Sequence, residues 1–253
     1  MRKICIVGDR FRGLEQHDRV STLSGFTRSL GSGALDTLDE NLVLVAGDGV
    51  GPYEWDHLAE ALARRGLEDR ITIEARTEPL VRRGEAHKHR ETNILVAGLH
   101  RVGDGHFAGS LRVHNDNELL LDHQTGQHVQ GMVSVEAARQ MFLAVTERYY
   151  ASVWPQNHYY YVLNSMNVTF ENFLFPIGAT LDLHVERAEV DRPERLAMAV
   201  RVDLSQAGRR CASVAIEYTA FESSVVEGKE TRRAEAAIDI VLDRHNAEEL
   251  VTV

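Results

Sequence analysis

The residues that could do chemistry are concentrated between Leu119 and Gln140, in LLLDHQTGQHVQGMVSVEAARQ. Asp122, His123 and His128 lie in a polar stretch, and Glu136 follows inside a run of apolar and small residues. A histidine beside a carboxylate can take or give a proton near neutral pH. A carboxylate on a largely apolar helix is costly unless it has a partner or a task. Apolar burial would raise the pKa of Glu136, and a nearby cation such as Arg139 would lower it. Gly131 permits close backbone approach where the helix begins. Free N–H groups there, at Gly131 and Met132, can polarise a carbonyl oxygen. A base, an acid and a carbonyl-binding helix start are the parts that acyl and thioester chemistry uses. Plainer readings stand beside this one. His123 can be a loop histidine with a local hydrogen bond, and Glu136 with Arg139 can be an ordinary i,i+3 ion pair. Asp122, His123 and His128 have no further ligand at suitable spacing, so no metal is expected.

Those side chains need a scaffold, and the apolar patterning supplies one. Residues 133–150 read as the strongest helix in the chain, apolar over more than half its circumference and therefore buried on most sides. Before it, 93–99 and 107–113 read as a hairpin around the turn Gly103-Asp104-Gly105. Leu119 to Leu121 read as a short strand or the approach to one. After the helix, 159–170, 180–188, 197–204 and 211–221 are rich in β-branched or alternating residues. Two strands, one buried helix and four strands predict an α+β fold, a long antiparallel sheet wrapped round a central helix, over about residues 85–224.

The first 80 residues differ. Apolar runs at 3–8, 41–47 and 71–74 read as buried strands, with an amphipathic helix over 52–66. This is a small parallel α/β segment of βαβ, Rossmann-like type. Its glycine turns, Gly8 to Gly13 and Gly47 to Gly51, match neither a dinucleotide fingerprint nor a P-loop. A structural lobe or a carrier-docking surface is the expectation. Thr77 to Arg90 reads as a linker or crossing segment, with His87-Lys88-His89 more often linker surface than site. Residues 225–253 form a charged C-terminal extension with one apolar run, Ile238 to Leu242.

Charge and cysteine usage narrow the partners. The net charge is -10, and the basic clusters are only pairs, so no nucleic-acid partner is expected. No run approaches the length of a membrane helix. The apolar run at Ile4 to Val7 is too short for a signal-peptide core. Cys5 and Cys211 form no disulfide framework and are expected as buried core thiols in a reducing, cytoplasmic setting.

The stretch DHQTGQHVQGMVSVEAARQ resembles the hotdog domain of the A-factor biosynthesis (AfsA-type) family. That family carries a similar Asp-His, then His-Val-x-Gly-Met, then Glu-Ala-x-Arg-Gln. The preceding HKHRETNILVAGL and the region Tyr161 to Phe175 resemble it too. The stretch is more distantly similar to hotdog hydroxyacyl-carrier-protein dehydratases, with His123 and Glu136 at the positions of their loop histidine and helix acid. Those two groups usually sit on opposite subunits of a dimer. The resemblance implies a hotdog fold acting on an acyl thioester of acyl carrier protein or coenzyme A, with no bound cofactor. A β-ketoacyl-type chain would pass to a small hydroxylated acceptor in secondary-metabolite or signalling-molecule biosynthesis. Dehydration of a 3-hydroxyacyl thioester, thioester hydrolysis and non-catalytic acyl binding are the alternatives. The implied catalytic residues are Asp122, His123, His128 and Glu136. Gly131, Met132, Arg139 and Gln140 would contact substrate. AfsA-type chains usually hold two hotdog repeats, and this one shows a single repeat, so a homodimer is expected.

Overall fold

A computed structural model describes residues 1–37, 39–123 and 126–251, with side chains as far as Asp243. Two sheets organise the chain. The N-terminal sheet is parallel, built from β1 (Arg2–Val7), β2 (Val20–Thr22), β3 (Leu42–Ala46) and β4 (Ile71–Glu74) in the order β2-β1-β3-β4. Helices α1 (Leu23–Gly31) and α2 (Pro52–Arg64) bury Phe26, Leu30, Trp55, Leu58 and Leu62 against Ile6, Leu44 and Ile71. Strands β1, β3 and β4 and helix α2 fall where the apolar runs predict them. β2 and α1 do not announce themselves. β2 is three residues long, and α1 begins only because Thr22 accepts the Gly25 N–H as an N-cap.

The second sheet is antiparallel and six-stranded. Its members are β5 (Val96–Gly103), β6 (His106–Leu111), β7 (Tyr159–Phe170), β8 (Thr180–Arg192), β9 (Arg195–Gln206) and β10 (Arg209–Glu222), in the order β5-β6-β8-β9-β10-β7. It wraps α4 (Gly131–Tyr149), which buries eleven of its residues, among them Val133, Ala137, Met141, Phe142 and Val145. This is the antiparallel sheet round a central helix that the patterning predicts, and the hotdog arrangement that the resemblance implies. Leu119 to Leu121 are not a strand. They belong to a single helical turn, α3 (Glu118–Leu121), because the Asn117 side chain accepts the Leu119 N–H and caps it.

The two lobes share a core. Val7 and Phe11 from the parallel side join the cluster around α4. Gly8 and Gly49 lie so close that a Cβ on Gly8 would stand 2.6 Å from the Gly49 carbonyl oxygen. Asp48, at the end of β3, is buried; it pairs with Arg76 at 3.1 Å and accepts the N–H groups of Val113 and Gly178. Burial raises its pKa against the pull of Arg76 and those N–H donors. The strand order reverses between β1 and β3, where open parallel sheets usually bind ligands. Here the hotdog backbone fills that crevice, since Gly49 N–H bonds the Val113 carbonyl and Asp48 N–H bonds the Pro176 carbonyl. Beside it a cleft of about 1030 Å³ remains, lined by Trp55, Glu78, Arg112 and His114 among others.

The segment read as a linker or crossing segment packs against β5. Leu80 bridges to Ala97, the Val81 N–H bonds the Val96 carbonyl, and Ala86 is fully buried. Residues Ser223–Val251 form one long helix, α5, whose described side chains are mostly exposed. Cys211 is buried as expected, whereas Cys5 is only half-buried; burial pushes its thiol up to about 11. No helix among the described residues is long and apolar enough to cross a membrane.

Candidate active site

Among the described residues, helix α4 starts without a side-chain cap and without an acidic residue in its first turn. The N–H groups of Gly131 and Met132 therefore remain open to a ligand oxygen at the positive end of the helix. Both residues are exposed. The start is held from behind, where the Gln130 side-chain amide donates to the Leu119 carbonyl. Gly131 lies close under the Phe170 ring: a Cβ there would stand 2.9 Å from it, so the exposed ring would have to move aside for any larger residue. Phe170, Met132 and Phe173 are all more than half exposed, and His128 packs its ring 4.9 Å from that of Phe173. Phe170 and Met132 at the helix start, with Phe173 against His128 in the preceding loop, form an exposed apolar collar beside a polar helix end.

One turn further in, Glu136 is the hub of a polar cluster. Arg139 grips it with two hydrogen bonds, at 2.7 and 2.9 Å. Gln140 donates at 3.0 Å, and Lys88 lies 2.7 Å away. Burial pushes the Glu136 carboxyl up, but the bonds from Arg139, Lys88 and Gln140 outweigh burial and hold it at about 2. Glu136 is thus anionic at neutral pH, a fixed negative anchor rather than a store of protons. Gln140 is itself fully buried, and it ties α4 to the edge of β5 by bonding Leu95 N–H and the Asn93 carbonyl.

Asp122, His123 and His128 lie in the loop before α4, as expected, and all three are exposed. Gln124 and Thr125, between them, lie outside the described residues. Among the described residues no hydrogen bond or ion pair joins these three to Glu136. The loop leans on the N-terminal lobe, with Gly126 against Gly13 and the Gln127 side chain 3.3 Å from His17. No group of described residues could hold a metal ion.

Sequence reasoning missed the site's third wall. The segment read as linker surface carries Lys88 to Glu136 and sets His87 Nε2 3.0 Å from the Glu147 carboxylate. Glu136, Gln140 and Glu147 share one face of α4, at spacings of four and seven residues. The signal was present as two acids on the polar stripe of a buried helix, each needing a partner. Which cations would meet them was not readable, because the turn between 82 and 90 is non-local to the helix.

The model of the A-factor biosynthesis hotdog domain matches residues 71–222. The chain belongs to the A-factor biosynthesis hotdog family. Among solved structures, a thioesterase from Haemophilus influenzae is 14% identical, with a TM-score of 0.39 over 58% of this chain and 93% of that one. A mutant thioesterase from Pseudomonas aeruginosa is 15% identical, with a TM-score of 0.37 over 50% of this chain and 81% of that one. No curated protein matches the chain. Within the A-factor biosynthesis hotdog domain, the matched span begins in β4 and closes at the end of β10, so it contains every residue of the site.

Proposed function

We propose that this hotdog protein transfers an acyl chain, of β-ketoacyl type, from a carrier-protein or coenzyme A thioester to a small hydroxylated acceptor. The observation that carries the reading is the uncapped start of α4, with open N–H groups at Gly131 and Met132 beside an apolar collar. The thioester carbonyl binds those N–H groups, which stabilise negative charge as the acceptor adds. His123 takes the proton of the acceptor hydroxyl, assisted by Asp122. Glu136, anionic and braced by Lys88 and Arg139, orients the acceptor and fixes the helix end. His128, against Phe173, lines the mouth.

A second copy completes the particle through β7. That strand ends the sheet, pairs among the described residues only with β10, meets α5 at its start where the Tyr160 hydroxyl donates to Glu230, and carries no charged residue in YYYVLNSMNVTF. Soluble proteins normally protect long edge strands with charge, proline or cover. The opposite edge, β5, is protected in this way, with Leu80 bridged to Ala97 and Arg101 exposed.

The test is intact-mass analysis of β-ketoacyl and 3-hydroxyacyl carrier-protein thioesters incubated with the protein and a mixture of small polyols. Sedimentation velocity on the same sample reads the dimer. The expected product is an acyl-acceptor adduct, lost in His123→Ala and in Glu136→Ala. Water loss or free acid in its place would make the protein a dehydratase or a thioesterase. Tight acyl-thioester binding without turnover would make it an acyl-binding protein.

A further inference from the structure

His87 is built unlike a surface histidine. Its backbone is left-handed, at φ 51°, a conformation that costs a non-glycine residue free energy unless its surroundings hold it there. Glu147 of α4 meets Nε2 at 3.0 Å, and the Tyr161 ring of β7 packs edge-on at 5.0 Å between centroids. The Tyr161 hydroxyl is buried and makes no hydrogen bond among the described residues, and burial pushes its pKa up. With Nε2 committed to the carboxylate, Nδ1 is left to exchange a proton. The other charges nearby are already paired, Glu85 with Arg148 and Lys88 with Glu136. This is an oriented acid–base histidine with no electrophile site beside it. Glu147 lies eleven residues after Glu136, about 16 Å along the helix.

A second copy supplies what is missing. α4 and β7 run in opposite directions, with Gly131 beside Phe170 at one end and Glu147 with His87 near Tyr161 at the other. Two β7 strands paired antiparallel about a twofold axis bring the Tyr161 end of one next to the Phe170 end of its partner. Resting on the thioester and dimer reading above, we propose that His87 of one subunit completes the active site at the α4 start of the other and protonates the departing sulfur. In that step the acceptor oxygen bonds the carbonyl carbon as its proton passes to His123. The C–S bond breaks, and the sulfur takes the Nδ1 proton of His87, which enters the step doubly protonated against Glu147 and leaves it neutral; the thiol departs, and the proton gained by His123 returns to His87 through solvent. Glu147 and Tyr161 are positioning residues.

The experiment mixes two variants. His87→Asn keeps a side chain that tolerates the left-handed backbone, and Glu136→Gln keeps the shape of the other half. Each alone should lose on the order of 10²-fold or more in turnover. Unfolded and refolded together, half the dimers are mixed and each holds one intact site, so about a quarter of wild-type activity returns. No return on mixing, or full activity of His87→Asn alone, overturns the proposal. An aryl thioester, whose thiolate leaves without a proton, should restore turnover to His87→Asn but not to His123→Ala. A His87→Asn defect equal on both substrates also overturns it. If the wild type unloads no thioester, the functional reading fails, and the placement is judged by His87→Cys mixed with Met132→Cys. Covalent dimers with a short bis-maleimide uphold the cross-subunit placement, and none refutes it.

Discussion

Replacing Glu136 by glutamine keeps the side-chain shape and removes a charge held by Lys88, Arg139 and Gln140. The folded carboxyl sits at about 2 against an ordinary value of 4.5. The side chain is 18% exposed, so solvent screens it little. Because the folded pKa is the lower one, the ionised carboxylate stabilises the fold above the unfolded value. That contribution is lost as pH falls through 4.5 towards 2. A shift of this size corresponds to about 3 kcal/mol at neutral pH and about 1.4 kcal/mol at about pH 3. Denaturant unfolding of the wild type and Glu136→Gln at about pH 7 and about pH 3 reads the difference directly. The gap between the two proteins should narrow by about 2 kcal/mol at the lower pH. Asp48 works in the opposite sense. Its folded pKa is raised by burial, so its contribution is present in acid and lost as pH rises; being in both proteins, it cancels. Adding Lys88→Met to the wild type should shrink the pH dependence, because one of the groups holding the carboxyl down is gone. A gap that is the same at both pH values would refute the claim that these partners hold Glu136 low.

Two further outcomes follow from the packing. Arg76→Ala leaves the buried Asp48 without its cation and should cost about 3–5 kcal/mol in denaturant unfolding; Asp48→Asn added to it should recover part of the loss. Gly131→Ala should barely change the melting temperature, since the exposed Phe170 ring can swing away, yet it should slow acyl transfer on the order of 10²-fold by filling the place of the carbonyl.

The sequence by itself determined the elements that local patterning controls. The apolar circumference of residues 133–149 made α4 a buried helix, and the alternation from Tyr159 onward made the strands of the sheet around it. The motif Asp122-His123, His128, Gly131-Met132 and Glu136 placed the loop and helix start, because those groups are close in sequence. Only the tertiary structure decided the partners. Lys88 and His87 reach Glu136 and Glu147 across spans of 48 and 60 residues, and Asp48 reaches Gly178 across 130. Ion pairs of that kind depend on where a turn lands, which no local periodicity encodes. The same holds for the protonation of Glu136. Its burial was legible in the apolar helix, but the balance between burial and three donors was set by which side chains packed against it.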